Sequence, residues 1–267
     1  MMDHLRRSAA PISDRVWKAL DEAIAQAARH VLSARRVATF DGPKGWDHTA
    51  VRLGTMMPCA TREGAAVVCV PEVVLLHEIR ADFSIPWAAI EVFERGAPAL
   101  ETRPAEVAAR EVALAEDRMV LYGDPAGDGF LSHRDSPRVS VQDWNKPGQL
   151  VADLLKAVEA LDGLGISGPY EAILAPARYY AYLQAVDDGG YPVARQLKEF
   201  ISAVHRSIVV KDAGALFSTR GDDFVLTVGG DLAAGYLEHD RDAVRLFCTE
   251  TVAAQAVTSD AVCLLEA

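Results

Sequence analysis

The chain has 267 residues, a length that allows one large domain or two smaller ones. Half of the residues are apolar and 24% are charged, which excludes a globally disordered chain. The formal net charge of −11 argues against nucleic acid and anionic membranes as partners, because both need a basic surface. No stretch approaches the roughly 18 apolar residues of a transmembrane helix, and no apolar region of a secretory signal follows the basic N-terminal residues.

The N-terminal part predicts an arm followed by a helix. Residues 1–12 are polar, and Ser13 is suited to cap a helix. Apolar side chains recur at helical spacing through residues 14–33, which predicts an amphipathic helix. The turn-forming sequence FDGPKGWDH ends it.

The next part predicts extended structure and then a long helix. Residues 51–76 lack a helical period, and a turn near Gly64 makes them a long β-hairpin. A further extended run follows, and Pro86 restricts its end to a sheet edge or a loop. Residues 103–122 form the clearest helix, with Pro104 in the first turn and Gly123 at its end.

In the C-terminal half, the sequence predicts both helices and strands, which do not follow each other in a regular order. A helix over residues 147–161 precedes a buried strand, YEAILAP, and a short helix, ARYYAYLQAV. The further strands are SIVV, FVLTVG, the stretch at 240–257 and AVCLLEA. Because helices and strands do not alternate regularly, we expect an α+β fold rather than a doubly wound sheet.

The sequence contains no strong catalytic constellation. The G-x-G-x-x-G match at 163–168 follows a helix and leads into a strand, the reverse of a dinucleotide-binding turn. The histidines lie far apart, and the four cysteines have no zinc spacing, so no metal site and free thiols are predicted. Cys248 and Glu250 share one face of a strand, but a cysteine nucleophile needs a histidine base, and His239 lies in the preceding turn. We therefore expect a protein that is not an enzyme.

Several motifs resemble the encapsulin shell proteins, also called the linocin M18 family. They occur in matching order from residue 2 to the C-terminus: MDHLRRSAAPIS, FDGPKGW, IRADFSI, VFERG, AEDRMVLYGD, GISGPYEAILAP and GGDLAAGYLEHDRDAVRLFCTETVAAQAV. The resemblance implies the fold of HK97-type phage capsid proteins, with a P-domain, an extended E-loop and an A-domain. Placed on this sequence, it divides the chain into an arm (1–12), P-domain segments (13–50, 77–134 and 224–267), an E-loop (51–76) and an A-domain (135–223).

The resemblance also implies a function in the bacterial cytoplasm. Copies of the chain, about 60, would close into an icosahedral shell. The shell would enclose a cargo enzyme, a dye-decolourising peroxidase or a ferritin-like iron protein, bound through its C-terminal targeting peptide. Matching positions predict the peptide contacts, where an apolar surface takes Leu or Ile side chains and polar groups fix orientation: Ala28, Leu32, Arg35, Asp231, Leu232, Ala233 and Tyr236.

Two further sites follow from the resemblance. The loop VDDGGYP would line a pore, where acidic rings favour cations, with four lining residues: Asp187, Asp188, Gly189 and Gly190. Some family members bind a flavin, for which Arg80 and Trp87 are the candidates, although no cofactor is required. Arg245 and Glu250 are interpreted as ion-pair or subunit-contact residues, and Cys248 as part of the core.

Two alternatives stay open. One is a phage or prophage capsid protein that packages DNA, against which the acidic charge argues. The other is a soluble, peptidase-like enzyme that uses Cys248.

Overall fold

The computed structural model describes residues 3–63, 66–124, 127–187 and 189–267, without the side chains between 58 and 67. Its helices are α1 (Asp14–Arg29), α2 (Trp87–Glu94), α3 (Arg103–Tyr122), α4 (Gln149–Gly163), α5 (Pro176–Gln184) and α6 (Val193–Leu197). Its strands are β1 (Thr39–Asp41), β2 (Ala50–Glu63), β3 (Ala66–Leu75), β4 (His77–Pro86), β5 (Arg138–Ser140), β6 (Tyr170–Leu174), β7 (Ala203–Arg206), β8 (Gly214–Ser218), β9 (Phe224–Val228), β10 (Ala233–His239), β11 (Ala243–Ala256) and β12 (Val262–Glu266).

The first sheet is built around the long strand β11. Its first ten residues pair antiparallel with β4, and β10 lies along its other side. Its last five residues pair with β9, which carries β1 as a parallel neighbour. Pro86 ends β4, which pairs with β11 alone in the described sheet, so the prediction of an edge position is confirmed.

Helices α1 and α3 cover one face of this sheet. Ser13 caps α1 by accepting a hydrogen bond from the Val16 amide at 3.4 Å. The buried side of α1 carries Val16, Leu20 and Ile24, at the spacing that the sequence predicts. On α3, small alanines allow the two helices and the sheet to approach closely: Ala105, Ala108, Ala109 and Ala113.

The second sheet has the order β5-β12-β8-β6-β7, and α4 packs against it. Its core continues into the first sheet through a run of aromatic rings. Phe224 of β9 lies 4.9 Å from Phe130 and 5.2 Å from Phe217 of β8, measured between ring centroids. All three side chains are fully buried. The two sheets therefore share one apolar core.

Strands β2 and β3 form a two-stranded hairpin of their own. Large apolar side chains on both strands are exposed to solvent: Met56, Met57, Val68, Val70, Val73 and Leu75. The hairpin at 51–76 is thus present as predicted, while the turn expected near Gly64 lies outside the described residues.

The predictions of an α+β fold and of a helix over 103–122 are confirmed. The predicted strand SIVV is wrong, because the strand is Ala203–Arg206 just before it. There the Ser207 hydroxyl accepts a hydrogen bond from the Val209 amide, a local bond that competes with strand pairing.

Three more differences concern element bounds and partners. Helix α1 ends at Arg29 rather than at 33, and helix α2 was not predicted. The last strand, Val262–Glu266, belongs to the second sheet, with β5 and β8 as neighbours that the sequence did not predict. Its apolar pattern predicts a buried strand but does not show which sheet the strand joins. No helix in the described part of the chain is long and apolar enough to cross a membrane.

Candidate functional site

An apolar cluster lies where the end of α1 meets α3 and the turn before β10. Ala28, Val31, Leu32 and Ala113 are buried together, and the half-buried Leu232 packs against them. We call these five residues the docking cluster. The structure therefore brings together Ala28, Leu32 and Leu232, three of the residues that the resemblance selects for peptide binding.

Arg35 forms an ion-pair network beside this cluster. Its guanidinium donates to both oxygens of Glu116 at 2.7 and 2.8 Å, and to Glu250 at 2.7 Å. A further bond of 2.9 Å reaches Asp231, next to Leu232. Both glutamate side chains are fully buried, whereas Asp231 is exposed. Arg35 thus links the docking cluster to α3 and β11, and three of these four bonds go to buried glutamates.

The network holds more negative than positive charge. Burial, reinforced by the charge of Glu116, raises the pKa of Glu250 well above its usual range, although Arg35 opposes the rise. A proton on Glu250 therefore persists at pH values where an exposed glutamate is ionised. With that proton, the two buried glutamates carry a single negative charge opposite the single cation.

Asp117 fixes the backbone that carries Arg35. Its carboxylate accepts bonds from the Ser33 amide at 2.9 and 3.0 Å, the Ser33 hydroxyl at 2.6 Å and the Ala34 amide at 3.0 Å. Burial raises the pKa of Asp117 to about 6, against the lowering effect of these donors. This buried cap orients the short turn in which Arg35 lies.

Two other predicted contacts, Ala233 and Tyr236, lie on β10. Ala233 begins the strand opposite Thr249. Tyr236 is 9% exposed, and its hydroxyl lies 2.6 Å from Nδ1 of His239. The backbone of Ala233 is therefore near the cluster, while the Tyr236 ring belongs to the core beneath β10.

The loop predicted to line a pore is a closed turn. Asp187 accepts bonds from the amides of Gly189 and Tyr191, both at 2.9 Å, and from the Gln196 side chain at 2.6 Å. Gly190 has φ = 78°, which favours glycine. Asp188 lies outside the described residues.

The flavin candidates Arg80 and Trp87 are not brought together. The Arg80 guanidinium lies 3.9 Å from the centroid of the Phe247 ring, opposite Thr249. Trp87 follows the other end of β4 and donates to the carbonyl of Asp240 at 2.9 Å. Six strand steps, roughly 20 Å, separate Arg80 from that end of β4.

The cysteine considered as a nucleophile is part of the core. Cys248 is fully buried, and burial raises its thiol pKa to about 12, which suppresses the reactive thiolate. Its partner across the sheet is Ala234, whereas His239 pairs with Val244 further along. Arg245 pairs with Glu238 at 2.9 Å. Among the described residues, no three His, Cys, Asp or Glu side chains are placed to hold a metal ion.

One residue of the network, Glu116, was not predicted. It lies in the regular helix α3 between Ala115 and Asp117, where a glutamate usually faces solvent. Two adjacent acidic residues in this helix were the available signal, but only the packing of α3 on β11 shows that both are buried.

Comparison with solved structures identifies the class of fold. A virus-like particle protein from Pyrococcus furiosus superposes with a TM-score of 0.70 at 18% identity, covering 94% of this chain and 99% of its own. The capsid of Myoviridae phage XM1 superposes with a TM-score of 0.63 at 12% identity, covering 88% of this chain and 91% of its own. The fold is therefore the HK97-like capsid fold that the resemblance implies.

Sequence comparison then gives the family. The family model Linocin_M18, described as "Encapsulating protein for peroxidase", matches residues 2–253, and this chain belongs to that family. A type 1 encapsulin shell protein from Rhodospirillum rubrum is 33% identical over 94% of this chain and 92% of its own length. One from Rhodococcus erythropolis is 30% identical over 98% of both chains. A diheme-cytochrome-encapsulin shell fusion protein from Kuenenia stuttgartiensis is 26% identical over 82% of this chain and 64% of its own length.

Proposed function

We propose that copies of this chain assemble into a closed icosahedral shell of about 60 copies in the bacterial cytoplasm. The observation that carries the proposal is the β2–β3 hairpin. A lone two-stranded hairpin is at best marginally stable in water, so it needs a surface to pack against. Its exposed Met56, Met57, Val70 and Leu75 have the composition of an interface with another copy.

Light scattering after size exclusion, with negative-stain images of the same fraction, tests assembly. We expect hollow, uniform particles in the megadalton range. Val70→Lys on the hairpin should give small oligomers, because a charge would be buried at the contact. Val257→Lys, at an exposed valine outside the hairpin, is the matched control and should leave particles intact. A monomer or dimer from the unmodified chain would contradict the proposal.

We further propose that the shell encloses a cargo enzyme whose C-terminal peptide binds at the docking cluster. The half-buried Leu232 offers the apolar contact, and Asp231 with the backbone at Ala233 offers polar groups for orientation. Arg35 acts by holding Asp231 in place rather than by contacting the peptide. A peroxidase fits the family description, and a ferritin-like protein is the second class of cargo.

Co-expression tests the docking site. The probe is a fluorescent protein that carries the C-terminal segment of a peroxidase or ferritin-like protein from the same genome. We expect it to co-purify with the shell, and Leu232→Asp should reduce loading at least tenfold. Leu237→Asp, on the strand that follows Leu232 but outside the docking cluster, should load normally. Equal loading in both variants would contradict this site.

The remaining predictions stay secondary proposals. We propose that the loop at 186–192 lines a pore that favours cations, because it carries the acidic side chain of Asp187, which is bonded within its own turn. We propose no catalytic role and no required cofactor, and the separation of Arg80 from Trp87 gives no support to a flavin site. The acidic charge disfavours DNA packaging, and the buried Cys248 disfavours a peptidase.

A further inference from the structure

The N-terminal arm lies along the outer edge of β10, the side away from β11. The Leu5 carbonyl accepts a hydrogen bond from the Tyr236 amide at 2.8 Å. Two residues further along the arm, Nε of Arg7 donates to the Ala234 carbonyl at 2.9 Å. The arm therefore runs antiparallel to β10 and occupies main-chain groups that a sheet edge would otherwise leave open.

Arg7 is the main anchor of this arrangement. Its guanidinium pairs with Asp21 of α1 at 2.6 Å and lies 4.8 Å from the centroid of the Trp17 ring. Asp21 also accepts a bond from the Ala234 amide at 3.2 Å. The arm, α1 and the edge of β10 are thus joined around Ala234.

This edge is continuous with the docking cluster. Leu232 packs both against the cluster at the end of α1 and against the core under β10 that contains Ala234 and Tyr236. An extended peptide whose side chains rest on Leu232 reaches the same edge, where strand addition would use the same main-chain groups. The peptide and the arm cannot both hold the Ala234 carbonyl and the Tyr236 amide.

The arm is held by contacts that can be exchanged. Arg7 and Asp21 have 28% and 37% of their side-chain surfaces exposed, so solvent weakens their ion pair. Arg6, between Leu5 and Arg7, has φ = 52°, a left-handed conformation that costs energy for a residue other than glycine. His4 adds a ring stack on the exposed Trp46, with centroids 4.6 Å apart.

We propose that residues 3–7 form a displaceable strap that competes with the cargo peptide for the outer edge of β10. The inference rests on the proposed docking function and adds a regulatory element to that site. The apparent affinity for peptide falls by the fraction of molecules in which the edge is free. A strap that is released in about one tenth of molecules lowers that affinity about tenfold.

Peptide binding to purified empty shells tests the strap. The probe is the cargo's C-terminal segment as a fluorescently labelled synthetic peptide, measured by anisotropy. We expect Arg7→Ala to bind about tenfold more tightly than the unmodified shell. Arg15→Ala is the matched control, because Arg15 also stacks on an aromatic ring (Phe93, 4.0 Å) and donates to backbone carbonyls, but away from β10. It should bind like the unmodified shell.

Removal of residues 1–6 is a second variant that keeps Arg7 and its contacts with α1. It should also tighten binding, because the Leu5 carbonyl no longer holds the Tyr236 amide at the edge. Binding and strap release are reciprocal, so the peptide should speed hydrogen exchange of the amides at residues 8–10, which bond within the arm.

The outcomes separate the two proposals. The strap is overturned if the unmodified shell, Arg7→Ala and the truncated chain bind the peptide with equal affinity. If Leu232→Asp abolishes that binding in each of them, the docking site still stands. Binding that is absent from all of them overturns the docking site and the strap with it. Weaker binding by Arg7→Ala or by the truncated chain also overturns the strap, because the arm would then assist the peptide.

Discussion

At the scale of residues, one buried cation organises three elements. Arg35 holds Glu116 of α3, Glu250 of β11 and Asp231 before β10. Removing one partner from a buried pair leaves an uncompensated charge, a loss of about 3–5 kcal/mol. An exposed pair contributes about 0–1 kcal/mol, since water and salt screen it.

The first prediction compares these two kinds of pair. Arg35→Ala should lower the free energy of unfolding by about 3–5 kcal/mol, because the buried glutamates lose the cation that compensates their charge. Arg245→Ala, whose partner Glu238 is exposed, should change it by less than about 1 kcal/mol. Denaturation of both variants in guanidinium chloride measures the difference. Equal losses would mean that the Arg35 network contributes no more than a surface pair.

The second prediction concerns the proton on Glu250. Its pKa in the folded protein is raised above that of the unfolded chain, so its contribution to stability is complete at low pH. That contribution is lost as the pH rises through the folded-state pKa. Glu250→Gln keeps a neutral side chain of the same shape, and it should therefore be more stable than the unmodified protein at alkaline pH.

Thermal denaturation between pH 5 and 9 follows this difference. We subtract the midpoint temperature of unfolding of Glu250→Gln from that of the unmodified protein. This difference should become more negative as the pH rises. Glu238→Gln, in an exposed pair, should give a difference that stays nearly constant. A difference for Glu250→Gln that grows toward acid instead would mean that the ionised glutamate stabilises the fold.

At the scale of elements, local chemistry decides what the sequence can predict. Helix α3 follows from its period and from Pro104 and Gly123 at its ends, and the hairpin follows from β-branched runs. Strand β12 reads correctly as a strand, but its partners β5 and β8 are distant in the chain. In the proposed docking site, the resemblance selects Arg35 and Leu232, whereas burial of Glu116 depends on how α3 meets β11.

A glycine in β10 shows such a non-local constraint. A Cβ atom at Gly235 would lie 2.1 Å from Cζ of Phe247, and the Arg80 guanidinium covers the same ring. The third prediction is that Gly235→Ala destabilises the protein by about 1–3 kcal/mol, because the ring must leave its place. Urea denaturation measures the loss.

Gly163→Ala is the control for this change. Nothing lies within 4 Å of a Cβ at Gly163, the last residue of α4. Alanine also favours helix over glycine, so this variant should be neutral or slightly more stable. If both variants lose stability equally, the clash with Phe247 is not the cause.

At the scale of the whole molecule, apolar contacts and net charge act in opposite directions on assembly. Each copy carries a formal charge of −11, so neighbouring copies in a shell repel each other. The exposed apolar hairpin supplies an attraction that salt does not screen. The charge repulsion, in contrast, falls as the Debye length shortens from about 30 Å at 0.01 M salt to about 3 Å at 1 M.

The fourth prediction follows from this balance. Particles should persist as NaCl is raised from about 0.01 M to about 1 M, and the concentration of free subunits should fall, because salt weakens the repulsion and leaves the apolar contact. Light scattering at equal protein concentration measures both quantities. Val70→Lys tests the apolar contact, and this variant should assemble poorly at every salt concentration. Particles that dissociate as salt is added would instead mean that ion pairs between copies hold the shell together.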